Sequence, residues 1–204
     1  ASRSRDIGDA FTFKDDGPLV DPTAVVLPTL TVDDSDFSSD ASASFASLFS
    51  VDFRHDGFKD TDDNNVQDVD ALVYTLGVSG PDADSGLVDT LSGLDVLLNL
   101  VDGEIVGTAG AEVVFRISVN AQTGVVSLDQ SRAVVHNDPL DPDEADASAA
   151  RLASAALITL SATATDGDLD AASRSRDIGD AFTFKDDGPA VDPTAVLVPT
   201  LTVD

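Results

Sequence analysis

Residues 158–189 read ITLSATATDGDLDAASRSRDIGDAFTFKDDGP, and this stretch decides the fold. Ile158, Leu160, Ala162 and Ala164 alternate with Thr159, Ser161, Thr163 and Thr165, the period-two pattern of a strand with one buried face. Asp166 to Asp170, DGDLD, is turn chemistry that reverses the chain. Ile178, Phe182 and Phe184 then lie at even spacing within Arg174 to Lys185, which predicts the second strand of a terminal β-hairpin. DDGP closes the stretch, because Gly tolerates a positive φ while Pro fixes φ and removes a donor.

Half of this stretch occurs twice. Residues 1–33, ASRSRDIGDAFTFKDDGPLVDPTAVVLPTLTVD, match residues 172–204 at 30 of 33 positions, with only Leu19/Ala190, Val26/Leu197 and Leu27/Val198 differing. The shift is 171 residues, too long for a solenoid unit and in the size range of a whole domain. The chain thus reads as a window on a tandem array. Boundaries at the two DDGP turns make residues 1–18 the last strand of a preceding repeat, 19–189 a complete repeat and 190–204 the first strand of a following one. Strands cut from their partners expose unpaired backbone groups, so head-to-tail self-association through both ends is expected.

The rest of the chain is mostly strand signals between turns. Residues 24–32 read as a strand that Pro28 confines to an edge or bulge, and 44–53 as a second. Residues 54–68 form a polar loop, followed by alternation at Leu72, Tyr74, Leu76 and Val78. Segments 94–101 and 104–108 flank Asp102-Gly103, a favoured hairpin turn. Val113, Phe115, Ile117 and Val119 form the cleanest alternating face, and Val125 to Leu128 begin the next strand. In 138–157 an Ala-rich segment behind Asp143, Glu144 and Asp146 allows a short helix or an irregular crossover. Seven or more short strands predict an all-β, immunoglobulin-like antiparallel β-sandwich, enlarged, as one unit of the array.

With 11 Lys and Arg against 38 Asp and Glu, the formal charge is -27. A field of that sign repels phosphate and anionic lipid, which argues against nucleic acid and membrane surfaces as partners and favours cations. The acids are Asp except at Glu104, Glu112 and Glu144. Asp suits turns and is a frequent oxygen ligand of Ca²⁺; a salt-adapted acidic surface is the competing explanation, and the two can coexist. No Cys is present, so disulfides and Cys-based zinc sites are ruled out. Charges interrupt every apolar run, so no membrane-inserting span is expected.

Catalytic material is thin. His55 and His136 are the two histidines, neither stands near a nucleophile signature, and G-x-S-x-G, H-E-x-x-H and the P-loop are all absent; the reading is a non-enzyme. Acidic clusters are the better candidates. Asp60, Asp62, Asp63, Asn64 and Asn65 begin like an EF-hand loop but lack its Gly at position six and its Glu at position twelve. Asp166, Asp168 and Asp170 alternate within the hairpin turn, pointing carboxylates to one side. Asp15 and Asp16, and again Asp186 and Asp187, sit at the repeat boundaries. If the first strand starts where the 166–170 turn lies, Asp15 and Asp16 meet that turn in a Ca²⁺ site at the joint between neighbouring repeats, and Asp186 and Asp187 belong to the next joint.

The closing hairpin with DDGP, together with LVYTLGVSG (72–80) and VSLDQSRAVVHNDP (126–139), resembles the repeated stalk, or extender, domains of large bacterial RTX-type adhesins. Such repeats often carry Gly between the last two acids of the turn, where this chain has Leu169. The resemblance implies an extracellular, type I secreted protein of the bacterial cell surface. Its Ca²⁺-rigidified β-sandwich repeats would hold a distal ligand-binding region away from the cell for adhesion and biofilm formation. The alternative is a repeat that itself binds a glycan or a host protein through an exposed aromatic patch.

Overall fold

The computed structural model describes residues 3–6, 8–12, 14–136 and 149–186. In chain order the strands are β1 (Leu19–Pro22), β2 (Leu30–Asp33), β3 (Ala41–Ser44), β4 (Phe49–Asp52), β5 (Leu72–Val78), β6 (Ala83–Val88) and β7 (Asp95–Val101). They continue with β8 (Glu104–Ala109), β9 (Glu112–Val119), β10 (Val125–Gln130), β11 (Ala150–Arg151), β12 (Ile158–Thr165), β13 (Ala171–Asp177) and β14 (Phe182–Lys185). Among the described residues there are short 3-10 turns and no α-helix. The fold is an all-β sandwich.

One layer is a six-stranded antiparallel sheet in the order β3-β10-β9-β8-β7-β6. Register shifts near Asp84/Val88 and Gly107/Thr108 interrupt its ladder, and such bulges bend a sheet. Facing it are the antiparallel sheet β13-β12-β5, the pair β1-β4 and the small sheet β11-β14-β2. Ile158, Leu160, Ala162 and Ala164 of β12 are all fully buried, while Ser161 and Thr163 on the other face hydrogen-bond Ser175 and Ser173 of β13 at 2.7 and 3.0 Å. The core closes where Phe115 of β9 meets Phe184 of β14, with ring centroids 5.0 Å apart.

The hairpin β7-β8 turns through Asp102 at φ 51° and Gly103 at φ 89°. Two left-handed residues are what a two-residue turn between twisted strands requires.

Four sequence expectations are corrected. Of the strand expected over 24–32 only the end is one, within β2; 23–29 lie outside any strand, and β1 forms ahead of them; Pro28 has no N–H to give a ladder. The strand expected over 44–53 is broken by a 3-10 turn at Ala46–Leu48, where Phe45 donates its N–H to Gly124 and Leu48 points into the core. The last hairpin strand ends at Asp177, and a 3-10 turn at Gly179–Ala181 passes the chain to a different sheet. There Phe182, Thr183 and Phe184 are all buried, so both faces of β14 are covered, while β11 and β2 flank its edges. The antiparallel expectation fails at one pair, since β14 runs parallel to β2; two strands whose connection spans the whole domain are not constrained to a hairpin. Where a helix was possible, 149–157 holds β11 and a 3-10 turn, and the remainder of that segment lies outside the described residues.

Chain direction fixes what sits at each end. Leu19 opens β1 opposite Asp52 at the end of β4, and the loop that follows brings Phe58 beside Asp166. β1 therefore starts at the end that carries the 166–170 turn, here called the proximal end. β13 runs away from it, and β14 finishes with Lys185 opposite Asp33. Of residues 3–18, the described ones form no strand and contain one 3-10 turn, Gly8–Ala10. The same sequence at 172–185 makes β13 and β14. Residues 190–204 lie outside the described part.

Candidate metal site at the proximal end

The turn between β12 and β13 is held rigidly. Asp166 donates its N–H to the Asp170 carbonyl at 3.0 Å, Asp170 donates to the Asp166 Oδ1 at 2.8 Å, and Leu169 donates to the Asp166 carbonyl at 3.2 Å. Gly167 donates to the Gly57 carbonyl at 3.2 Å, and a Cβ on Gly167 would stand 2.4 Å from the Asp56 carbonyl oxygen. No other residue allows the two loops to approach so closely.

These constraints aim the turn at residues 15–17. Single oxygens of Asp15, Asp168 and Asp170 all lie within 4.8 Å of one another, and Gly17 abuts the Asp170 carboxylate. Asp166 is fully buried, and its Oδ2 has no hydrogen-bond partner. The Asp15 carboxyl is pushed up to about 6, first by sharing a proton with Asp170, then by partial burial and by the charges of Asp168, Asp170 and Asp56. Burial raises the Asp166 carboxyl as well, with Asp168 adding to it. Four carboxyls are thus crowded together with too few donors.

The other sequence candidates are placed differently. The Asp16 carboxylate turns to His55, Oδ2 to Nδ1 at 3.3 Å. Asp186 is at the distal end, where it lines a cleft with Asp34, Thr90 and His136. Asp187 lies outside the described residues. His136 and His55 are therefore at opposite ends of the sandwich.

Asp60, Asp62 and Asp68 also bring one oxygen each within 4.8 Å of the others. Asn65 has φ 62° and so fills the left-handed position that Gly takes in an EF-hand loop. Position twelve is Ala71, which is buried. This loop supplies its own donors. Asp60 accepts from the Asn64 and Asn65 N–H groups at 3.2 and 2.7 Å, and Asp68 accepts from the Thr61 N–H and hydroxyl at 3.0 and 2.5 Å. Those bonds hold the Asp68 carboxyl below its ordinary value, the opposite of Asp15. An open cleft of about 340 Å³ between this loop and Gly167 is lined by Asp56, Gly57, Phe58, Asp60, Asp63 and Asn65.

Two opposed oxygens on one Ca²⁺ ion are about 5 Å apart, given bonds of about 2.3 to 2.6 Å, whereas Mg²⁺ would need about 4 Å. Oxygens of Asp15, Asp168 and Asp170 that all lie within 4.8 Å of one another are close enough to share one cation of either kind. Their carboxylates, with Asp166 behind, are hard oxygen donors, and the salt bridges of the described residues involve none of them.

A pair that the sequence does not reveal stabilises the distal half. Asp89 is fully buried and takes two bonds of 2.9 Å from the Arg132 guanidinium, with the Ser92 N–H and hydroxyl at 2.8 and 2.5 Å. Tyr74, the sole tyrosine, is buried under Gly124. No helix of the described residues is long and apolar enough to cross a membrane.

Among known proteins, a family described as a domain of unknown function (DUF5801) matches residues 29–179. No curated protein and no solved structure matches the chain.

Proposed function

The chain belongs to the DUF5801 domain family, and for this member we propose the role of a non-catalytic extender repeat, rigidified by Ca²⁺, in a cell-surface adhesin. The observation that carries the reading is the meeting of Asp15, Asp168 and Asp170 beside the buried, unpartnered Asp166 Oδ2. Asp15 belongs to the DDGP segment that precedes β1, and the other three belong to the turn of the domain that follows it. A cation held by both would tie the incoming segment to the domain. Without one, four carboxyls repel each other and the joint loosens.

By the 171-residue period, Asp186 and Asp187 stand to a following repeat as Asp15 and Asp16 stand to this one. Incoming and outgoing segments at opposite ends suit a line of domains, in which each joint repeats the last. Such a line would project a distal ligand-binding region from an extracellular, type I secreted protein, for adhesion and biofilm formation. Its partners are then neighbouring repeats of the same chain. The alternative, that the repeat binds a glycan or host protein directly, loses its best residue with Tyr74 buried.

Extracellular modules bind Ca²⁺ at about 0.1 to 1 mM, and calcium at ten times Kd adds about 1.4 kcal/mol, enough to bias a joint about tenfold. The test is small-angle scattering and thermal melting of a chain spanning two consecutive periods, in Ca²⁺ and in chelator, with Asp166→Ala/Asp168→Ala beside it. Chelation is expected to shorten the particle and lower Tm, and the double variant to be indifferent to calcium. Equal length and equal Tm in both media would overturn the proposal.

A further inference from the structure

Residues 1–14 and 172–185 are the same fourteen residues, ASRSRDIGDAFTFK, yet they are used in opposite ways. In the second copy Phe182 is fully buried, Ser175 pairs with Ser161, and β14 is hydrogen-bonded on both sides. In the first copy Phe11, the counterpart of Phe182, is 63% exposed. We infer that residues 1–14 of one molecule can take the place of β13 and β14 in a second copy of this chain, linking copies head to tail by strand exchange.

Every contact that the resident segment makes is available to the incoming one, since no residue differs. Exchange between identical elements costs little, because the bonds broken are the bonds re-formed. Donating an extended segment into a sheet also satisfies its backbone groups. The segment cannot fill the slot of its own molecule. Lys14 would then stand at the place of Lys185, beyond β13 and β14, while Leu19 stays at the proximal end. Five residue steps reach about 18 Å, and β13 alone covers roughly 20 Å. Its own slot is out of reach, so the segment needs the slot of another domain, and a second copy of this chain offers one.

Cysteines test this directly, as the chain has none. Ser161 and Ser175 face each other with hydroxyls 2.7 Å apart, and Ser4 is the counterpart of Ser175. The full chain carrying Ser4→Cys/Ser161→Cys, concentrated in chelator and then oxidised, should give a ladder of reducible dimers and higher species. Arg5→Cys/Ser161→Cys, one residue out of register and on the other face, should not. Adding Phe11→Ala to the first variant should weaken the ladder several-fold without moving the melting temperature. No ladder, an equal ladder in all three variants, or a crosslink confined to the monomer overturns the inference. Chelator keeps the outcome separate from the calcium proposal.

Discussion

Asp89 and Arg132, 43 residues apart in sequence, form a two-pronged ion pair whose acid is entirely removed from solvent. Around it the end of β6 is clamped to residues 133–135: Asp89 bridges Val134, Thr90 donates to the Ala133 carbonyl, and Val135 donates to the Val88 carbonyl. Bonds from Arg132, then from Ser92, hold the Asp89 carboxyl far below its ordinary value. A depressed carboxyl contributes stability that is present above its unfolded pKa and is lost as pH falls through the folded one. The contribution should therefore be constant from neutral pH down to about pH 4 and fade below that. Asp89→Ala leaves a half-buried guanidinium with only the exposed Glu112 at 3.9 Å, and removing one partner of a buried pair costs about 3 kcal/mol. Urea melts of wild type and variant from pH 7 to pH 2 check this; a gap that persists unchanged at pH 2 would contradict it.

The two copies of the repeated segment should respond differently to one substitution. A Cβ on Gly179 would meet the Ser154 and Ala155 carbonyl oxygens at 2.5 and 2.8 Å, backbone atoms that cannot step aside. Gly179→Ala should cost about 2 kcal/mol by overpacking. Around Gly8, its counterpart, the nearest atom is the side-chain Asp6 Oδ1 at 3.4 Å, an ordinary contact, so Gly8→Ala should leave Tm unchanged. Equal Tm shifts for the two variants would mean that residues 172–185 are not packed as described.

These copies also show what a sequence can and cannot specify. Both form a 3-10 turn at the same three residues, Gly8–Ala10 and Gly179–Ala181, so the turn is encoded locally. The strands are not, since identical residues form β13 and β14 in one place and no strand among the described residues of 3–14 in the other. The alternation of β12 and the Asp102-Gly103 turn were legible because each rests on neighbours in sequence. The passage of the chain from β13 to another sheet was not, because it depends on β2 and β11, which lie far away in sequence. At the site, the turn acids Asp166, Asp168 and Asp170 could be read as a cluster, and chain direction pointed them toward Asp15. That Asp166 would be buried and Asp16 drawn off to His55 depends on the 54–58 loop, which carries no periodic signal.

Protons and calcium should compete at the proximal turn. The Asp15 carboxyl is pushed up to about 6 by Asp170 first, then by burial and neighbouring charge, and Asp166 is raised too. A raised carboxyl contributes stability that is full below its unfolded pKa and is lost as pH rises through the folded one. Without metal, this site should make the chain less stable as pH climbs from about 4 through about 6. That window lies above the one in which Asp89 acts. Calcium must displace the shared proton, so its affinity should rise over the same interval. Titration calorimetry at pH 5 and pH 7.5, with melts in chelator, reads both effects, and Asp15→Asn should flatten them. A calcium affinity indifferent to pH would show that Asp15 is not in the site.

Leu169 is the strained member of this turn. Its φ is 80°, and its side chain is 64% exposed, so it adopts a left-handed conformation with little packing to compensate. For an L-residue that conformation costs about 1 to 2 kcal/mol, and Gly adopts it freely, though Gly loses roughly 0.5 to 1 kcal/mol more conformational entropy on folding. Leu169→Gly should therefore be neutral to stabilising, by up to about 1 kcal/mol. Leu169→Ala separates backbone from side chain. It keeps the Cβ that causes the strain and removes only exposed carbon, so its Tm should match wild type. Because Leu169 lies between Asp168 and Asp170, relief of strain should also leave those carboxylates in place, and calcium affinity in Leu169→Gly should be no weaker than in wild type. A Tm for Leu169→Gly well below that of Leu169→Ala would show that the left-handed turn is not the conformation this residue holds in solution.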